Sequence, residues 1–230
     1  MKSGRKLFIL LFSVLVASNA YSQEVRTAMD FFNQVASRYA AIEDYQANIT
    51  ITRGNTVMTG VLSHKAPNLL RINFTRPEDQ VIVFNGERLV VFIPRFRVVM
   101  SQHTNPRDHI AVGASLATRD GLALLRRNYT IAFFESPNPV PLDRGVPGSE
   151  MVTKLRLVWR STEEGFRQIV LSVGENGLIR RFVGTTPEND VIQFDFLNIA
   201  VNQGIPAARF DFNPPPGANT FENFLFEPRR

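Results

Sequence analysis

The sequence predicts a mainly β protein, one antiparallel sheet of ten or eleven strands partly covered by an N-terminal helix and short helical pieces. Three observations carry this. From Tyr45 onward, short runs rich in Val, Ile and Phe recur between Gly-, Asn- and Pro-containing turns. No segment between successive runs is long enough for a parallel crossover helix. Before them, Val25, Ala28, Met29, Phe32, Val35, Ala36, Tyr39 and Ile42 recur at spacings of three and four, one helical stripe wide enough to cover a sheet.

The first 22 residues read as a cleaved signal peptide. Lys2, Arg5 and Lys6 form a positive start, Leu7 to Val16 is apolar except for Ser13, and small residues offer cleavage after Ser18-Asn19-Ala20 or, with Ala20 and Ser22 in the same roles, after Ser22. The apolar run falls well short of the roughly 20 residues a spanning helix needs. Residues 23–230 remain as one domain. The chain has no cysteine, so neither a disulfide framework nor N-terminal acylation is available to it. Stability then rests on an ordinary hydrophobic core.

Strands follow in order. Tyr45 to Arg53 places Tyr45, Ala47, Ile49 and Ile51 on one face. Gly54-Asn55 turns into Val57 to Ser63, and Leu69 to Thr75 puts Leu70, Ile72 and Phe74 on its apolar side. Val81 to Phe84 and Leu89 to Phe92 flank Asn85-Gly86, a common tight-turn pair. A two-residue turn would pair Ile82 with Leu89, giving the faces Ile82, Phe84, Leu89, Val91 and Val81, Val83, Val90, Phe92. Both are apolar, where a half-buried strand shows only one apolar face. Arg95 to Met100 is the next strand.

Between Ser101 and Asn128 the period changes to short helical pieces, one with Ile110, Val112 and Leu116, the other capped by Asp120 and carrying Leu122, Leu124 and Leu125. Strands resume at Asn128 to Glu135, Met151 to Arg160, Phe166 to Val173, Leu178 to Thr185 and Asp190 to Val201, with a last one at Ala208 to Phe212. Ser136 to Glu150, with four prolines, is a surface insertion.

Composition excludes several functions. Without the leader, 23 basic residues face 21 acidic ones, and the Arg-Arg pairs at 126–127, 180–181 and 229–230 are scattered, so nucleic-acid binding is not indicated. Ser115 lies outside any nucleophile elbow, and His103, Asp108 and His109 match no common metal spacing. Acidic pairs such as Glu163-Glu164 sit in turns. No catalytic residue, metal or cofactor is expected. A hydrolase built on His64, His103 or His109 is the weakest alternative. Phenylalanine is abundant, 19 in all, more than a thinly covered sheet needs for its core. The excess suits an apolar concavity that takes lipid.

Specific residues sharpen this. Lys65-x-Pro67-Asn68-Leu69, Arg76-Pro77, Val83-x-Asn85-Gly86-x-x-Leu89 and Pro94, then Ala207-Ala208-Arg209-Phe210-x-Phe212-x-Pro214-Pro215-x-Gly217, resemble the outer-membrane lipoprotein carrier (LolA-like) family in order and spacing. The resemblance implies an incomplete antiparallel β-barrel of about eleven strands, closed by the N-terminal helix and lid helices over an apolar cavity. It implies a monomeric periplasmic chaperone that shields acylated lipoproteins, receives them from an inner-membrane lipoprotein-releasing complex and passes them to an outer-membrane acceptor. A lipid-binding sensor of the same fold is the alternative. The expected cavity and lid residues are Phe32, Ile49, Ile51, Leu70, Ile72, Phe74, Phe84, Phe92, Ile110, Leu116, Leu122, Leu125, Phe133, Phe194 and Phe196. Where the family places an arginine that fastens the lid, this chain has Ala66, so apolar contacts are expected to hold the lid. Arg71 or Arg76 is a candidate substitute, although strand parity points Arg71 away from the apolar face.

Overall fold

Helix α1, Ala28–Ala40, opens the computed structural model, which describes residues 26–103, 117–160 and 165–224. The helix starts where Thr27 and Asp30 cap each other reciprocally. It buries Ala28, Phe31, Phe32, Val35 and Tyr39. Phe31 lies just beside the expected stripe, and its ring meets Phe133 with centroids 6.2 Å apart. The signal-peptide segment, Ile110, Leu116 and His109 lie outside the described residues.

Thirteen strands follow among the described residues. β1 Asp44–Arg53, β2 Thr56–Lys65, β3 Leu69–Arg76, β4 Val81–Phe84, β5 Arg88–Ile93 and β6 Val98–His103 form an antiparallel meander. Helix α2, Arg119–Asn128, leads into β7 Tyr129–Phe133 and the two-residue β8 Val140–Pro141. The second meander is β9 Met151–Trp159, β10 Gln168–Gly174, β11 Ile179–Thr185 and β12 Val191–Val201, and β13 Asn219–Glu222 comes last. The spatial order is β13-β6-β5-β4-β3-β2-β1-β12-β11-β10-β9-β7, with β8 beside β9. The sheet is antiparallel except where β13 joins β6 in parallel, and it does not close on itself.

Several expectations shift. Four residues separate the last β4–β5 pair, Phe84 opposite Leu89, and Ile82 stands opposite Val91. Asn85 Oδ1 accepts from the backbone N–H groups of Glu87 and Arg88, which widens the turn. The slip is two residues, an even number, so the two faces stay as expected. Thr118, not Asp120, caps α2, its hydroxyl accepting from the Gly121 N–H. Residues Ala207–Phe210 form a 3-10 turn where a strand was expected, because Pro206 precedes it and the chain there lies across the sheet. Arg95 likewise falls in a 3-10 turn, Pro94–Phe96, before β6 begins.

Both sheet faces are covered, by different means. The concave face carries the main core, under α1 and α2. On the convex face, the insertion after β7 folds back over β9 to β12. There Arg181 pairs with both Asp195 and Asp143, and Arg180 with Glu150 at 2.8 Å. The chain after β12 crosses the other half, with Phe210 1% exposed and Phe212 against Phe92 at 5.7 Å.

Candidate functional site: the concave layer

The pleat assigns one side chain in two to the concave face. Register carries that layer across the sheet without a break. Ile131 faces Leu157, Leu157 faces Ile169, and Leu155 faces Leu171, which meets Phe182. Phe182 faces Phe194, Ile51 faces Phe194 and Ile49 faces Phe196. Leu62 then meets Ile72, Ile72 meets Ile82, and Leu70 meets Phe84. A bulge near Asn198, a residue at φ 52°, adds one residue to β12, and a strand bends at such a point.

Two glycines make room for this curvature. A Cβ on Gly60 would lie 2.4 Å from the Asn73 carbonyl oxygen, at the irregularity where β2 bends against β3. A Cβ on Gly184 would enter the Phe166 ring, which stands edge-on to Phe182 at 5.3 Å.

Most of the expected residues meet in one cluster. Phe32, Ile49, Ile51, Leu70, Ile72, Phe74, Leu122, Leu125, Phe194 and Phe196 are buried in it, and Phe84 and Phe133 pack against it half-buried. Phe92 does not join them. It shares the convex face of β5 with Val90, under the segment after β12. That face and the covering segment border a cleft of about 360 Å³, lined by Val83, Val90, Val99, Phe210 and Phe212 and also by Asn85, Arg88, Ser101, Thr220 and Glu222. The second apolar face of the hairpin is thus taken by the chain's own C-terminal region.

The same segment accounts for Arg71. Its guanidinium donates to the backbone carbonyls of Arg209 and Asp211, both at 3.0 Å, on the convex face that parity predicts. Lys65 reaches the Ile205 carbonyl at 2.8 Å, and Asp44 accepts from the N–H groups of Gln203, Gly204 and Ile205. Basic side chains here hold the convex strap.

Sequence reasoning missed a polar group at one end of the layer. Tyr39, Tyr45 and His64 are 5%, 2% and 3% exposed. Tyr39 and Tyr45 meet edge-on, and Tyr45 lies 5.2 Å from the His64 ring. The Tyr45 hydroxyl donates to the Ala117 carbonyl at 3.0 Å, and the Tyr39 hydroxyl accepts from the Ile179 N–H at 3.1 Å. Burial pushes the Tyr39 phenol up to about 12 and raises that of Tyr45 well above its ordinary value. Burial also lowers His64 to about 4, against a smaller upward pull from Asp44, so the imidazole is neutral at pH 7. The available signal was parity, since Tyr45 and His64 stand at inward positions of their strands.

Comparison with known proteins follows the same lines. Residues 48–132 match the family model described as outer membrane lipoprotein carrier protein LolA. The outer-membrane lipoprotein carrier protein of Nitrosospira multiformis is 24% identical over 95% of this chain and 98% of its own length. Over residues 48–132 the chain resembles the LolA carriers. The carrier of Pseudoalteromonas translucida is 23% identical, over 94% of this chain and 95% of that protein. Among solved structures, an uncharacterized conserved protein from Thermus thermophilus superposes with a TM-score of 0.54 at 12% identity, covering 83% of this chain and 98% of that one. MucB superposes at 0.52 and 13%, covering 81% of this chain and 62% of that one. These likenesses are of fold. This fold places α1 and α2 over the concave layer, and no described helix is long and apolar enough to cross a membrane.

Proposed function

We propose that this chain is a periplasmic carrier, exported by its N-terminal signal sequence, that shields the acyl chains of lipoproteins between the inner and outer membranes. The observation that supports it most is the unbroken apolar layer from Ile131 to Phe84 beneath only two described helices, in a LolA-like chain. Each methylene taken out of water contributes about 0.8 kcal/mol, so an acyl chain needs such a surface to cross an aqueous space. Phe32, Ile72 and Leu122 have no exposed surface. A ligand entering among them therefore displaces a helix, and α2, with three buried residues, is easier to lift than α1, with five. The cargo is then an acylated lipoprotein, and an inner-membrane releasing complex and an outer-membrane acceptor are the partners this role requires.

The test is to express the mature chain, analyse the copurifying lipid and titrate a synthetic acylated lipopeptide. Saturable binding at one-to-one stoichiometry is the expected result. A lipid-free protein that ignores the lipopeptide would defeat the reading. A stable complex with a membrane-bound regulator in a pull-down would select the sensor alternative, which shares the fold likeness to MucB.

A further inference from the structure

We propose that His64 is the polar recognition point of the concave layer, its imidazole hydrogen-bonding the ester or amide group at the head of an acyl chain bound there. This rests on the carrier reading and adds to it the part of the ligand that is read.

His64 stands on β2 opposite Tyr45 and Leu70, facing inward with Leu62. It is 3% exposed, and neither ring nitrogen has a hydrogen-bond partner among the described residues. A neutral imidazole carries one donor and one acceptor, and buried groups of that kind are almost always paired. Its neighbours obey that rule. Tyr45 is bonded to Ala117, Tyr39 to Ile179, and Asp44 to three backbone N–H groups. His64 alone of this group is left open, where leucine would fill the same space without an unpaired polar atom.

The chemistry of the missing partner follows from the two nitrogens and their surroundings. Apolar side chains from β1, β2 and β3 border the ring, which suits hydrocarbon, and an ester carbonyl would accept the ring N–H. An amide would pair with either nitrogen, its carbonyl accepting the ring N–H or its own N–H donating to the bare ring nitrogen. Lipopeptides and phospholipids both present such groups next to acyl chains. The position also matters: Tyr45, its ring tilted against the imidazole, holds Ala117 just before α2, so a head group at His64 would lie at the foot of the helix that lifts.

The experiment compares the mature wild-type chain with His64→Leu and His64→Gln. The probes are a synthetic triacylated cysteine lipopeptide, dipalmitoyl phosphatidylglycerol, and the pure hydrocarbon diphenylhexatriene. His64→Leu is expected to bind the hydrocarbon unchanged and the lipopeptide about tenfold more weakly, the loss of one to two hydrogen bonds. His64→Gln, which keeps a donor and an acceptor, should recover most of that loss. Phosphatidylglycerol weakened equally assigns recognition to esters in general, and lipopeptide weakened alone assigns it to the amide. In wild type, the ring nitrogen NMR shifts of His64 should move with the lipopeptide and stay still with the hydrocarbon, a measurement that survives if His64→Leu does not fold. Equal weakening for all three probes, none for any, or a ring unmoved by bound lipopeptide would overturn the inference while leaving the carrier reading intact. A wild-type chain that binds no probe defeats the carrier reading, and this inference with it.

Discussion

The Tyr45 hydroxyl on β1 donates to the carbonyl of Ala117 at 3.0 Å, one residue before the cap of α2. This neutral buried bond fastens the start of α2, together with the apolar contacts of Leu122 and Leu125. Arg71, on the opposite face, holds the convex strap instead.

Tyr45→Phe should therefore loosen α2 without disturbing the sheet. Losing the bond and leaving the Ala117 carbonyl unpaired costs about 1–2 kcal/mol. Hydrogen exchange should quicken across residues 117–128 and stay unchanged in β9 to β12. Uniform quickening over the whole domain would mean that the bond holds the core rather than the lid.

Acid should destabilise the protein through His64. Its folded value of about 4 lies below the ordinary 6.5, so the unfolded chain binds the proton more readily. Stability from this group is complete above pH 6.5, falls as pH drops, and is lost below about 4, a span of about 3 kcal/mol at most. Urea unfolding at pH 7 and pH 4.5 measures it. His64→Leu should flatten that slope; an unchanged slope would place the acid sensitivity in other groups.

Arg71→Ala should release the convex strap while leaving the concave layer as it is. Two hydrogen bonds from a half-exposed guanidinium contribute about 1–2 kcal/mol together. Limited proteolysis should cut between residues 203 and 217 sooner than in wild type, with lipopeptide affinity unchanged. Altered affinity would show that the two faces are coupled.

Gly60→Ala should damage the β2–β3 ladder. The new methyl would meet the Asn73 carbonyl and the Phe74 Cα, backbone atoms that cannot swing aside. We expect about 2–3 kcal/mol of destabilisation by thermal unfolding, against less than about 1 kcal/mol if the strands simply part at the bend.

Local pattern alone determined the elements and their faces. Alternation in β1, β3, β4 and β5 assigned each side chain a face, and this survived even where the β4–β5 register was two residues out, because parity depends only on even spacing. The helix stripe, the concave residues from Ile49 to Phe196 and the outward setting of Arg71 were legible for the same reason. Tertiary structure decided what lies over each face. Phe92 and Phe84 read alike in sequence, yet one meets Phe212 and the other the core. Nothing local distinguishes them, since burial depends on a segment more than a hundred residues away. The strand β13 was missed likewise: Asn219–Glu222 is short, exposed and weakly patterned, and β6 supplies the partner that makes it a strand. The unpaired state of His64 was equally invisible, because a hydrogen bond, or its absence, is a relation between chain segments that only folding brings together.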